Sequence, residues 1–137
     1  MSTARFHCFS GIAGAMALGA RPDAGAPLDE VNGLVDRPPR TFREACQWMV
    51  WYQMMARMYN GSGPLGRLDL LLLPYYERDM AAGILTDEEA IFHIACLLLR
   101  DTAYIQLGGP NPDGSDATNA VSFLVLEAAH RLRIPAN

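Results

Sequence analysis

The sequence predicts a mainly α fold, packed helices joined by Gly/Pro-rich loops, and three observations carry that expectation. Apolar residues recur at helical spacing after Thr41, after Thr86 and after Asp116. Two of these runs open on Thr-x-x-Glu, the signature in which a threonine and a glutamate satisfy each other's helix-end amides. Polar, Gly/Pro-punctuated loops at 61–69 and 108–119 separate the apolar runs. Such loops fix backbone and polar side chains in place, and recognition and catalysis concentrate there.

The first 37 residues form an Ala/Gly/Pro-rich lead-in or arm, and residues 38–137 form the helical unit. Arg5 followed by the apolar, small-residue stretch 6–20 has the outline of a short signal peptide. His7, Cys8 and Ser10 interrupt it, and an Ala/Gly-rich lead-in accounts for the same residues. Residues 21–39 carry Pro22, Pro27, Pro38 and Pro39 and form a linker with room for one helical turn at 28–35.

The first helix starts at Thr41, with Glu44 reaching back to the cap. Ala45, Trp48, Met49, Tyr52, Met55, Ala56 and Tyr59 follow at helical steps, and Val50 and Trp51 widen the apolar arc. A helix of that kind is buried on more than one side. Asn60-Gly61 stops it. The next segment, 68–82, holds the apolar run Leu70 to Leu73 followed by Pro74, which removes a helix hydrogen bond. A kinked helix, or two abutting turns, is expected in preference to a buried strand, with Gly83 as the C-terminal cap. The third helix opens on Thr86-Asp87-Glu88-Glu89, acids on the positive end of the dipole. It buries Ile91, Ile94, Ala95, Leu97, Leu98, Thr102 and Ile105 and ends at Gly108-Gly109. Ser115 or Asp116 caps the last helix, whose buried face is Val121, Leu124, Val125, Ala128 and Leu132, and Pro135 closes it.

Half the residues are apolar and 19% are charged, which excludes general disorder. A net charge of −4 with eleven basic residues leaves no electrostatic footprint for nucleic acid. No apolar run approaches the roughly 20 residues needed to cross a bilayer. Cys8, Cys46 and Cys96 are three and widely spaced, so no complete disulfide set exists. Reduced cytoplasmic thiols are the expectation, with Cys46 and Cys96 as small buried groups.

The chemical constellations are thin. Gly61-x-Gly63-x-x-Gly66 matches the dinucleotide fingerprint formally, but a helix precedes it and Pro64 deletes an amide. The oxygen-rich stretch 111–119 lacks the alternation and terminal glutamate of a calcium loop. His7, His93 and His130 are not spaced as metal ligands, so no metal site is expected. Arg67 and Asp69 are favoured for capping or an ion pair over ligand contact.

One ordered series of motifs adds to this. It runs Pro38-Pro39-Arg40-Thr41-Phe42-Arg43-Glu44-Ala45, Gly66-Arg67-Leu68-Asp69, Pro74-Tyr75-Tyr76 and Gly83-Ile84-Leu85-Thr86-Asp87-Glu88-Glu89-Ala90. Asp113-Gly114-Ser115-Asp116-Ala117-Thr118-Asn119, Leu126-Glu127-Ala128 and Arg131-Leu132-Arg133-Ile134-Pro135 complete it. The series resembles the pyruvate formate-lyase-like branch of the glycyl radical enzymes. The resemblance implies an α/β-barrel enzyme in which a glycine near the C-terminus stores a radical. A separate S-adenosylmethionine-dependent iron–sulfur activase installs it, and a cysteine on a central loop uses it to cleave C–C, C–O or C–N bonds. The chain corresponds to helical material before that loop. Neither the cysteine loop nor the radical glycine motif has a match, so no catalytic role passes to its cysteines and no cofactor is expected on it.

The expectation is therefore a fragment or diverged relative of a glycyl radical lyase or dehydratase, cytoplasmic, inactive alone. Its partners are the rest of the enzyme or a companion subunit and the activase, and a homo-oligomer is expected. Arg67, Asp69, Asp116 and Asn119 are the candidate substrate-pocket residues. The rival expectation is a small helical self-association or protein-interaction module using Trp48, Trp51, Tyr52 and the methionines, without catalysis.

Overall fold

A computed structural model describes residues 37–60, 64–100 and 104–133. The signal-peptide outline, nearly all of the arm, Cys8, His7, Gly61, Gly63, Thr102 and Pro135 lie outside the described residues. Four helices dominate: α1 (Phe42–Asn60), α2 (Leu68–Ala81), α3 (Asp87–Arg100) and α4 (Ala120–Leu132). Two short strands, β1 (Gly66–Arg67) and β2 (Ile105–Gln106), pair in parallel with Gly66 opposite Ile105 and Arg67 opposite Gln106.

α1 begins where Thr41 Oγ1 accepts the Glu44 amide at 3.2 Å. The glutamate does not return to the Thr41 amide. Its carboxylate takes the Arg40 amide at 2.6 Å and a two-pronged contact from Arg37 at 2.7 and 2.8 Å. The cap also has a distant member: buried Asp79, at the far end of α2, accepts the Phe42 amide at 2.6 Å. A carboxylate against the positive end of a helix is stabilising, so α1 is anchored to α2 at its first residue.

α2 runs unbroken through Pro74 rather than as two turns. The carbonyl that the missing amide leaves without its helical donor belongs to Leu70, an exposed residue. Gly83, at φ +69°, takes the left-handed position after the Ala82 cap. Its amide bonds Met80 O and the next amide bonds Asp79 O, which is a Schellman closure.

α3 opens on the complete box: Glu89 N to Thr86 Oγ1 at 3.3 Å and Thr86 N to Glu89 Oε2 at 2.9 Å. It stops at Arg100, not at Gly108, and Ile105 lies in β2. A two-residue strand carries no periodicity, so the apolar pattern runs on past the helix without showing the change. α4 is capped by Asn119, not by Ser115 or Asp116.

The core is one cluster drawn from all four helices, with Phe42, Leu68, Leu72, Ile94, Leu97 and Val121 fully enclosed. α3 lies against α4 and α1, and α2 bridges α4 and α1. The expected buried faces of α3 and α4 are confirmed through Ile91, Ile94, Leu97, Leu98, Val121, Leu124, Val125 and Ala128. On α1 the expectation is corrected. Trp48, Tyr52 and Met55 point outward, and the buried side is Phe42, Ala45, Cys46, Val50 and Gln53. The aromatic stripe dominates the sequence pattern, but the face that enters this core is the less apolar one.

Candidate functional site: the Asp69 junction

Asp69 is fully buried at the first turn of α2. Its Oδ1 accepts Arg67 Nε at 2.9 Å and the Leu70 amide at 2.9 Å. Its Oδ2 accepts the Gly108 amide at 2.8 Å, Ser122 Oγ at 2.7 Å and Arg67 Nη2 at 3.3 Å. One carboxylate thus ties β1, the loop after β2 and the first turn of α4. Arg67 Nη2 extends the knot to Ala117 O at 3.3 Å.

Burial pushes the Asp69 carboxyl up, but Arg67, the Gly108 amide, Ser122 and the Leu70 amide together outweigh it and hold it down at about 2. With five donors the two oxygens have no acceptor capacity to spare. Asp69 is therefore an anchor that stays charged at neutral pH, too weak a base and too enclosed to take a proton from a ligand.

Around it the loop 107–119 is tied by its own side chains. Pro110 pairs with Asp116 as an isolated bridge, and the Ala117 amide bonds Gly109 O at 2.8 Å. Asp113 Oδ1 takes the Ser115 amide and hydroxyl at 3.0 and 2.6 Å, and Asp116 Oδ1 takes those of Thr118 at 2.9 and 2.7 Å. These bonds hold both carboxyls below the usual range, Ser115 acting on the first and Thr118 on the second. Gly108 adopts φ +61°, and a Cβ there would sit 2.8 Å from Thr118 Oγ1, so only glycine passes at this point.

Of the four candidate residues, Arg67 and Asp69 meet directly. Asn119 joins them through Ser122: its side chain accepts the Val121 and Ser122 amides while Ser122 Oγ accepts the Asn119 amide and donates to Asp69. Asp116 stands apart, its carboxylate turned to Thr118 on the exposed loop. Sequence reasoning missed Ser122, Gly108 and Asp79. The pattern Asn119-x-x-Ser122 is itself a capping signature and could have located the first. Nothing local marks Asp79, whose partner is 37 positions away.

Among the described residues no group of three or more His, Cys, Asp or Glu is placed to hold a metal ion. Cys46 is enclosed between α1 and α3, and burial raises its thiol far above the usual range. Burial raises half-buried Cys96 as well. Neither supplies a thiolate nucleophile. His93, on α3, is driven down to about 4 by burial and by Arg43.

Residues 29–136 match the Pyruvate formate lyase-like family. The chain belongs to that family. It is 32% identical over 115 residues to an isethionate sulfite-lyase of Bilophila wadsworthia, a match covering 66% of this chain and 14% of that protein. It is 30% identical over 122 residues to a trans-4-hydroxy-L-proline dehydratase of Clostridioides difficile, covering 70% of this chain and 15% of that protein. The chain thus spans about one seventh of the length of these relatives. A solved glycyl radical enzyme from Archaeoglobus fulgidus superposes with a TM-score of 0.67 at 26% identity, covering 93% of this chain and 20% of the other. A structure described for 1,2-propanediol dehydration in Roseburia inulinivorans gives 0.68 at 24%, covering 95% and 20%, and that likeness shows the fold. The mainly helical fold read from the sequence is therefore that of a segment of glycyl radical enzymes, and the relatives are lyases and dehydratases. Among the described residues no helix is long and apolar enough to cross a membrane.

Proposed function

We propose that this chain serves as the helical segment of a glycyl radical lyase or dehydratase, working inside a larger polypeptide assembly and without turnover alone. One observation carries the reading: each described helix is apolar on the side away from the core. Trp48, Tyr52 and Met55 on α1, Leu70 on α2, Phe92 and Leu99 on α3, and Phe123 and Leu126 on α4 are all at least 42% exposed. Scattered apolar residues are ordinary on a surface, but such rows on three helices, with Leu70 on the fourth, are what a buried layer presents. The short span of the relatives covered supports the same reading.

In that assembly the Asp69 junction holds loop 107–119 rigid as one wall of a substrate pocket. Arg67, Asp69 and Asn119 act as positioning residues. Asp116, exposed with Oδ1 bound to Thr118, is the candidate that presents a carboxylate oxygen to a ligand. No step of radical transfer is assigned to the described cysteines, because neither Cys46 nor Cys96 falls in a match to the family's cysteine loop. The radical glycine and its cysteine belong to the rest of the enzyme or to a companion subunit, and the S-adenosylmethionine-dependent activase acts there.

The test is turnover of isethionate and of trans-4-hydroxy-L-proline by the purified chain with a radical activase and S-adenosylmethionine. No product and no glycyl radical signal by electron paramagnetic resonance is the expected result. Product formation by the chain with only the activase and S-adenosylmethionine added would overturn the proposal.

A further inference from the structure

The Asp69 junction leaves one end of the Arg67 guanidinium unused. Nε and Nη2 are spent on Asp69 and on Ala117 O, while Nη1 has no hydrogen-bond partner among the described residues. The Arg67 side chain is 21% exposed, so this end reaches the surface. Across the β1–β2 pair Arg67 stands opposite Gln106, which is exposed. The third member is Gly109, exposed and at φ +109°. A Cβ built on Gly109 would lie 3.9 Å from Gln106 Nε2 and 4.0 Å from Arg67 Nη1. The side chain that Gly109 lacks thus leaves a space that two nitrogen donors border. All three residues are held in place: Arg67 by the buried Asp69 carboxylate, Gln106 by the strand pair, and Gly109 by its carbonyl, which accepts the Ala117 amide at 2.8 Å. Donors fixed in this way need little ordering when a ligand arrives.

We propose that this corner binds the carboxylate of a small ligand; the inference rests on reading loop 107–119 as a pocket wall and names what that wall takes. Arg67 then has two roles, holding the loop through Nε and Nη2 and reaching the ligand through Nη1. Two nitrogens that each lie within 4.0 Å of one point are no more than about 8 Å apart. Two hydrogen bonds of about 2.9 Å cover all but about 2 Å of that limit, and the two oxygens of a carboxylate make up the difference. A single acceptor atom, as in a halide or a hydroxyl, spans only about 6 Å. A guanidinium also forms its stronger hydrogen bonds with charged oxygens. The charges nearby limit the ligand to one negative charge. Asp69 already neutralises Arg67, and the carboxylates of Asp113 and Asp116 stand on the same loop. A dianion such as hydrogen phosphate is repelled more than a monoanion.

The probe is sodium acetate added to the full chain at about 0.1 M, compared with sodium chloride at equal ionic strength and with sodium phosphate as a third arm. Thermal melts read the binding, since a ligand of the folded state raises the midpoint. Acetate is expected to raise it by at least about 3 °C over chloride. Gln106→Ala, an exposed change outside the Asp69 junction, should at least halve that rise. Gln106→Glu places a carboxylate beside Nη1 and should abolish it, each variant being compared with its own chloride melt. No acetate-specific rise, or an undiminished rise in both variants, overturns the site. An equal rise with phosphate overturns the assignment to a carboxylate. Either failure leaves the embedded-segment reading standing, because that reading is decided by turnover.

Discussion

The Ser122 hydroxyl donates a 2.7 Å hydrogen bond to the buried carboxylate of Asp69, 53 positions earlier. The same oxygen accepts the Asn119 amide, so one hydroxyl closes the α4 cap and fastens that helix to the start of α2. Removing it with Ser122→Ala leaves Asp69 one donor short inside the protein and opens the cap. The expected cost is about 2 kcal/mol of unfolding free energy by urea titration. A change under 0.5 kcal/mol would show that the junction does not bear on stability.

Asp69 itself sets an acid limit. Its carboxyl is held at about 2, below its ordinary value of 3.8. A depressed folded value means the contribution is complete above the unfolded value and fades as pH falls toward the folded one. Its share, on the order of 2 kcal/mol, disappears between about pH 4 and pH 2. Asp69→Asn should be less stable at pH 7 and should lose less on acidification. Parallel stability curves for the two proteins across that window would refute the assignment.

His93 acts at higher pH. Burial, then Arg43, lowers it to about 4 from 6.5, while Glu89 opposes the shift. Protons therefore bind the unfolded chain first, and stability falls as pH drops from 6.5 toward 4, by up to roughly 3 kcal/mol. In His93→Leu that slope should vanish, measured by thermal melts at half-unit pH steps.

Gly108 offers a double-mutant test. Gly108→Ala combines a left-handed backbone with a 2.8 Å approach to Thr118 Oγ1. The expected cost is about 2 kcal/mol or more. Adding Thr118→Ala removes the contact but not the backbone strain, so the pair should cost less than the sum of the single changes.

Gln47 is fully buried on α1, and among the described residues neither amide atom has a hydrogen-bond partner. Gln47→Met should stabilise the isolated chain by about 1 kcal/mol, because an unpaired buried amide costs more than it contributes. A destabilised variant would mean the amide has a partner in solution.

Legibility in the sequence followed the range of each interaction. The Thr41 cap, the box at Thr86 and the inner faces of α3 and α4 depend on spacings of three and four residues, which the sequence displays directly. Arg67 and Asp69 are two positions apart, and their ion pair was within reach. What stayed hidden depends on distant partners: Asp79 under Phe42, Ser122 under Asp69, and β1 beside β2. For the α1 aromatic row the spacing predicts burial on more than one side without separating core from interface, because apolar spacing states that a face will be covered and not by what. The cap of α4 was placed too early because Asp113, Ser115 and Asp116 are all capping residue types. In the folded loop Asp113 and Asp116 are occupied by Ser115 and Thr118.

The claim that the outward faces of these helices are made to be covered is tested most directly by light scattering of the purified chain, with a dye that fluoresces on exposed apolar surface. The account predicts association above the 15.0 kDa monomer mass, or a monomer that binds the dye strongly. A monodisperse monomer that binds no dye at high concentration would contradict it.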